Sequence, residues 1–195
     1  MGAESNSFMR VVITENTTVD GVIDLADGWF APASGAEEEA DHLAVLREQD
    51  RTADAMLLGR QTFEDFRGYW PRQVSDPTGI SGYLNRVTKL VISKTLREPG
   101  WENTVVLRGP VDEEVHRLKD QPGQDVVCTG SVRLARTLVE AGLVDEYRLF
   151  VHPAVQGRGR RLFPDGHRVS ALRLLEVRAF RSGTALQRYA AVRGV

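Results

Sequence analysis

Short apolar runs alternate with amphipathic stretches along this chain, and the period of each apolar pattern predicts its element. After a polar tail (residues 1–7), "FMRVVITENT" (Phe8–Thr17) predicts a strand. "VDGVID" (Val19–Asp24) places the Asp-Gly of a turn before another short apolar segment. "ASGAEEEADHLAVLREQDRT" predicts a helix capped by Ser34 or Gly35, with Glu37–Glu39 in its first turn and Leu43 and Leu46 on its apolar stripe. "AMLLG" has no polar alternation, as expected of a strand covered on both faces. It switches without a spacer to the helical "RQTFEDF", where Phe63, Phe66 and Trp70 form a stripe better suited to a core than to a cofactor box.

"SDPTGISGYLNRV" predicts a short helix after a Pro-containing turn. Strands follow in "TKLVISKTL" (Thr88–Leu96) and "NTVVLRG" (Asn103–Gly109), then a helix in "VDEEVHRLKDQ" with Val111, Val115 and Leu118 on one face. "QDVVCTG" is the next strand, "SVRLARTLVEAG" the next helix with its stop at Gly142, and "VDEYRLFVHP" a further strand. "ALRLLEVRAF" and "TALQRYAAV", joined by "RSG" with no helix between, predict an antiparallel hairpin. The order implies an α/β fold of three α/β/α layers, with a mixed, mostly parallel central sheet and a C-terminal antiparallel hairpin. Without a repeat or linker, residues 8–195 are expected to form a single domain behind a flexible tail (residues 1–7).

The composition, with 42% hydrophobic and 27% charged residues, is that of an ordinary globular chain of 195 residues. A formal net charge of −2 gives no general attraction to nucleic acid or acidic lipid, so neither is an expected partner. The densest basic cluster, "GRGRRLF" (Gly157–Phe163), suits a solvated loop better than a phosphate patch. Cys128 is the single cysteine, which excludes an intramolecular disulfide and a Cys-rich zinc site and fits a reducing compartment. With no secretory signal and no apolar run near the roughly 20 residues of a membrane span, a cytoplasmic location is expected. His42, His116, His152 and His167 lack metal-ligand spacing, and no metal is expected.

Two strand-to-helix junctions carry the candidate chemistry: Gly59–Arg60–Gln61–Thr62, and Gly130–Ser131 after "VVCT". A helix N-terminus offers free N–H groups and the positive end of the dipole, and a glycine there lets an anion approach the backbone. A guanidinium beside it suits a terminal phosphate. Two such junctions match a dinucleotide with an extra phosphate. Each alone is weak: a glycine at a strand end is usually a turn, and Arg60 alone is more often a solvated helix-start residue. The Gly130 turn is expected at the surface.

The segments "TTVDGVID", "MLLGRQTFEDFRGYWP", "TKLVISKTL" and "VVCTGSVRLARTLVEAGLVDEYRLFVHPAVQGRGRRLF" occur in that order. Together they resemble the dihydrofolate reductase-like superfamily, in the branch of the C-terminal reductase domain of the bifunctional riboflavin-biosynthesis deaminase/reductase. The resemblance implies NADPH as cofactor, a small-molecule substrate and a homodimer. It places Gly59, Arg60 and Thr62 at the cofactor's phosphates, Ser93, Lys94 and Thr95 near the adenosine phosphate, and Thr129, Gly130, Ser131 and Val132 around the pyrophosphate. Departures are Thr18 where the family often has serine and Thr129–Gly130 in place of paired glycines, and no deaminase domain is expected before the reductase-like part.

The function expected from the resemblance is an NADPH-dependent reductase whose closest named reaction is reduction of 5-amino-6-(5-phosphoribosylamino)uracil. Dihydrofolate reduction and a non-catalytic nucleotide-binding or assembly role are the alternatives. Asp20 is the candidate catalytic polar group near the nicotinamide, or a turn cap. Trp29, Tyr69 and Trp70 would line the substrate side, or fill the core. A carboxylate on the first helix, among Glu37–Glu39 and Asp41, either faces the pocket or is solvated.

Overall fold

A computed structural model of the chain describes residues 7–25, 28–30, 37–169 and 171–192. Its strands are β1 (Arg10–Thr18), β2 (Ala53–Gly59), β3 (Thr88–Ile92), β4 (Thr104–Leu107), β5 (Asp125–Cys128), β6 (Glu146–His152), β7 (Leu172–Ala179) and β8 (Ala185–Ala191). Its helices are α1 (Ala40–Asp50), α2 (Arg60–Tyr69), α3 (Ile80–Arg86), α4 (Val111–Lys119) and α5 (Val132–Glu140). The strands form one sheet in the order β4-β3-β2-β5-β1-β6-β8-β7. From β4 to β6 all neighbours are parallel; β8 runs antiparallel to β6 and to β7.

The parallel strands are apolar on both faces because both are covered. Ala55, Leu57, Leu90, Val126 and Ile13 point to the side of α4 and α5, where Val115, Leu134 and Leu138 meet them. Met56, Leu58 and Val91 point to the opposite side, packed with Phe63 of α2 and Leu84 of α3. On that same side α1 sets Val45 against Phe150 and Leu186. Phe63 is fully buried, and Phe66 and Trp70 pack beside it, so the stripe on α2 is core as its spacing predicts.

Val19–Asp24 carries the predicted turn, and its apolar Val22 makes only an isolated bridge to Arg161. The first helix proper begins at Ala40 after a 3-10 turn at Glu37–Glu39, so its first-turn acid is Asp41. Ser34, Gly35 and residues 1–6 lie outside the described residues. The C-terminal hairpin buries one apolar set only. Leu186 on β8 is fully buried, whereas Leu174 and Val177 on the edge strand β7 are 53% and 61% exposed.

The parallel topology brings the C-terminal ends of β1 to β6 to one edge of the sheet. β5 inserts between β1 and β2, so its following turn meets the turn after β2 there. Crevices for ligands form at such reversals of strand order.

Candidate functional site

The two junctions singled out in the sequence are packed against each other. The Gly59 N–H donates to the Gly130 carbonyl at 3.2 Å. A Cβ on Gly59 would lie 2.5 Å from Ser131 Oγ, and one on Gly130 would lie 2.9 Å from Thr62 Oγ1. Gly130 also has φ +131°, which only glycine adopts readily. The Gly130–Ser131 peptide is cis. Ser131 is the N-cap of α5, accepting from the Leu134 N–H, and Val132 opens the helix against the core. The N-terminus of α2 behind Gly59 receives no side-chain cap. Contrary to the surface turn expected from the sequence, Gly130 is buried, because Thr62 and Gly59 cover it.

Further along the same edge, Arg60 Nη1 donates to Thr95 Oγ1 at 2.7 Å, while its Nε holds Glu64 Oε1 at 2.8 Å. Ser93 Oγ accepts from the N–H groups of Thr95 and Leu96, which shapes the loop after β3. Lys94 is exposed, and its carbonyl receives Arg108 Nη1 from the end of β4. The structure therefore joins Arg60 to the Ser93–Thr95 loop and adds Arg108, which the sequence analysis missed. Arg60, Lys94 and Arg108 form a cationic rim beside the Gly59–Gly130 contact.

Asp20 accepts from the Thr18 hydroxyl at 2.6 Å and from the N–H groups of Gly157 and Gln156. These bonds, the Thr18 hydroxyl foremost, hold its carboxyl at about 2. It is therefore an anion tying the turn after β1 to the loop after β6, which suits the turn-cap alternative and not a proton donor.

Trp29 donates from Nε1 to the Asp24 carbonyl and meets His152 edge-on, with ring centroids 5.6 Å apart. His152 Nε2 lies 2.8 Å from Asn16 Oδ1. Burial holds the imidazole below its ordinary range. Neither Asn16 nor His152 was picked out in the sequence.

On the face covered by α1, α2 and α3, a cavity of about 170 Å³ lies over the sheet. Thr14, Met56 and Arg148 form its floor, and Leu46, Phe66 and Trp70 its roof. Thr129 lines it too, and the next residue is Gly130, so the cavity reaches the junction. Trp70 thus faces a pocket as well as the core, whereas Tyr69 is 53% exposed and stacks edge-on against Trp70. The α1 carboxylate at the cavity is Asp50, which burial pushes up to about 6 against the Arg86 charge. Asp41 instead accepts from the N–H groups of Arg181 and His42.

The opposite face of β1 carries Glu15. Its Oε1 is out of solvent with no hydrogen-bond partner among the described residues, and burial pushes the carboxyl to about 8. Beside it the Cys128 thiol is pushed up to about 12 by burial. The polar triplet Thr14–Glu15–Asn16 inside a central strand was the available signal for these positions.

The model of the RibD C-terminal domain family matches residues 9–186. The uncharacterized protein YyaP of Bacillus subtilis (strain 168) is 29% identical over 181 residues, covering 89% of this chain and 90% of its own. Among solved structures, a protein provisionally assigned to riboflavin biosynthesis from Shewanella sp. PV-4 superposes with a TM-score of 0.67. It is 17% identical, with 95% of this chain and 100% of that chain covered. Dihydrofolate reductase from Enterococcus faecalis, in complex with NADP(H), superposes with a TM-score of 0.57 at 16% identity, over 93% and 95% of the two chains. With the family model spanning nearly all of the chain and these structures superposing over 93–95% of it, the protein belongs to the RibD C-terminal domain family and has the dihydrofolate reductase-like fold.

Proposed function

We propose that the protein is an NADPH-dependent reductase of a small heterocyclic or sugar-derived substrate, with reduction of 5-amino-6-(5-phosphoribosylamino)uracil as the closest named reaction. The observation that carries this reading is the contact between the two strand-to-helix turns, Gly59 N–H to Gly130 carbonyl, with Arg60, Lys94 and Arg108 on the adjoining rim. The residues fit the cofactor: the uncapped start of α2 suits a pyrophosphate, the glycines let the two turns pack close enough to share one anion site, and the cationic rim suits a further phosphate.

Gly59, Thr62, Gly130 and Ser131 would hold the pyrophosphate, and Arg60, Lys94, Thr95 and Arg108 the terminal phosphate. When bound, NADPH supplies a hydride. The chain's own part is to orient the substrate in the cavity beside Thr129 and to keep water out with Leu46, Phe66 and Trp70. Asp20 stays ionised and keeps the loop after β6 in place.

The test is titration of NADPH into the protein, followed by absorbance at the reduced-nicotinamide band on adding a panel of pyrimidine, pterin and sugar-derived substrates. Oxidation of NADPH with one of them supports the reading. Dihydrofolate as the sole productive substrate would favour the folate alternative, for which Asp50 is the carboxylate at the cavity. Binding without turnover on any of them would favour a non-catalytic role.

A further inference from the structure

β1 has β5 on one side and β6 on the other, and the two pairings stop at different heights. With β6 it runs on to Thr18 opposite His152; with β5 it ends at Ile13 opposite Cys128. Past Cys128 the chain turns away from β1 toward α2. The Gly130 carbonyl takes the Gly59 N–H, and Gly130 sits against Thr62. A crevice therefore opens between β1 and β5 from Thr14 onward, at the reversal of strand order where ligands enter such sheets.

Glu15 stands at this opening. Alternation along β1 puts it on the α5 face with Val11 and Ile13, away from Thr14 and the cavity under α1. Its Oε1 is sealed with no hydrogen-bond partner among the described residues, yet the residue as a whole is only part-buried, so the rest of it borders the open end of the strand. Burial alone pushes the carboxyl up to about 8; no cation offsets it. The other titratable groups on this face are Cys128 and Tyr147, whose thiol and phenol burial pushes up to about 12, so both are uncharged. Arg136 on α5 and Arg161 in the loop after β6 are turned to the Arg161 and Asp20 carbonyls, and Lys119 on α4 is paired with Asp145 at the other end of β1.

A buried acid with no counter-charge responds to the first cation brought beside it, because an opposite charge nearby favours the ionised form. The two forms of a pyridine dinucleotide differ in this respect: the oxidised ring is positively charged and the reduced ring is neutral. We propose that Glu15 is a specificity-determining residue that distinguishes the oxidised from the reduced dinucleotide by the charge of the ring entering this crevice. The proposal rests on the reductase reading. Beside an oxidised ring Glu15 gives its proton to solvent and pairs as a carboxylate; beside a reduced ring it keeps the proton. Below about pH 8 the cost of releasing that proton falls on the oxidised form alone. This gives the reduced form the advantage, which suits a reductase that must take up NADPH and release NADP+.

The experiment measures the affinity of NADP+ and of NADPH for the full chain by calorimetry between about pH 6 and pH 8, in two buffers of different ionisation enthalpy so that released protons are counted. The ratio of the two affinities cancels the phosphates, which both cofactors carry. In the wild-type protein NADP+ should gain on NADPH as pH rises, by up to about 10-fold per pH unit for one linked proton. More protons should be released on binding NADP+ than on binding NADPH. Glu15→Gln has the shape of the protonated acid and no charge to offer. It should make the ratio flat and remove the excess proton release. Infrared difference spectra of the wild-type protein give a second readout that needs no variant: the protonated-carboxyl band should fall on adding NADP+ and persist on adding NADPH.

The inference is overturned if the wild-type ratio changes by less than about 2-fold across that range, or if Glu15→Gln keeps the wild-type dependence. It is also overturned if the carboxyl band responds alike to both cofactors. In each of these cases both dinucleotides bind, and the reductase reading stands without the role for Glu15. Binding of neither would remove the reductase reading and this inference with it.

Discussion

Arg60 offers the sharpest test of cofactor choice. Its side chain is 47% exposed, and the guanidinium already holds Glu64 on one side and Thr95 on the other. A charge-assisted contact to a phosphate is worth about 1.5–3 kcal/mol. Drawing the guanidinium toward a phosphate weakens its pair with Glu64, an exposed i,i+4 pair worth about 0.3–0.5 kcal/mol. The net contribution is about 1–2.5 kcal/mol, or about 5- to 70-fold in affinity. Arg60→Ala should impose that loss on NADPH and spare NADH, which lacks the extra phosphate. Glu64→Gln should tighten NADPH about 2-fold by freeing the guanidinium. Both variants should melt close to the wild-type protein, since only surface contacts are removed. Quenching of tryptophan fluorescence during titration of each cofactor reads the effect, and added salt should reproduce part of it. Equal losses for NADPH and NADH would mean that Arg60 acts through the shared pyrophosphate or through folding. No loss for either would refute the assignment of this rim to a phosphate.

Three further outcomes follow from other parts of the molecule. Glu15 holds its proton to about pH 8 in the folded chain but releases it near 4.5 when unfolded, so the folded state binds more protons between those values. Stability should therefore fall as pH rises through that window, by at most about 1.4 kcal/mol per pH unit; Glu15→Gln should flatten the fall in a series of melts, and an unchanged slope would clear Glu15. Lys89 is fully buried, donating from Nζ to the Leu84 and Val87 carbonyls at the end of α3 beneath the Trp101 ring. Lys89→Met should lower stability by about 2 kcal/mol or more in urea unfolding by stranding those carbonyls, and a neutral effect would mean that α3 finds other partners. We propose that the homodimer implied by the family resemblance forms through the exposed Leu174 and Val177 on β7, so Leu174→Lys with Val177→Lys should give monomers in light scattering where the native chain gives dimers; a native monomer at micromolar concentration would remove this proposal.

The local part of this architecture was legible because it is written in short-range periodicity. The switch from unbroken apolar positions at Ala55–Leu58 to a 3.6-residue stripe at Phe63, Phe66 and Trp70 marks the β2–α2 junction without help from the rest of the chain. "VVCTGSVRLARTL" marks β5–α5 in the same way, and the terminal hairpin follows from "RSG" between two strand patterns. What no window of sequence contains is strand order. That β5 lies between β2 and β1 decides that Gly130 packs against Gly59 and Thr62, and hence that a turn expected at the surface is buried.

The same limit explains which polar residues were passed over. The acidic run Glu37–Glu39 drew attention because it is dense, yet the α1 carboxylate at the cavity is the isolated Asp50, placed there by how the helix crosses the sheet. Thr14, Glu15 and Asn16 were visible as letters in a predicted strand. Their weight appears only once β1 is known to be central, with β5 and β6 on its two sides. A polar side chain on an edge strand can reach water; on a central strand covered on both faces it must find a partner or remain unsatisfied. Alternation along β1 then separates the triplet. Thr14 and Asn16 face the α1 side, where an open cavity and His152 await them, and Glu15 faces the α5 side, where burial keeps its proton on. The chemistry of this chain is therefore concentrated where its sequence breaks the apolar rule of a buried strand, and Arg148 on β6, alongside Thr14, breaks it a second time at the same cavity.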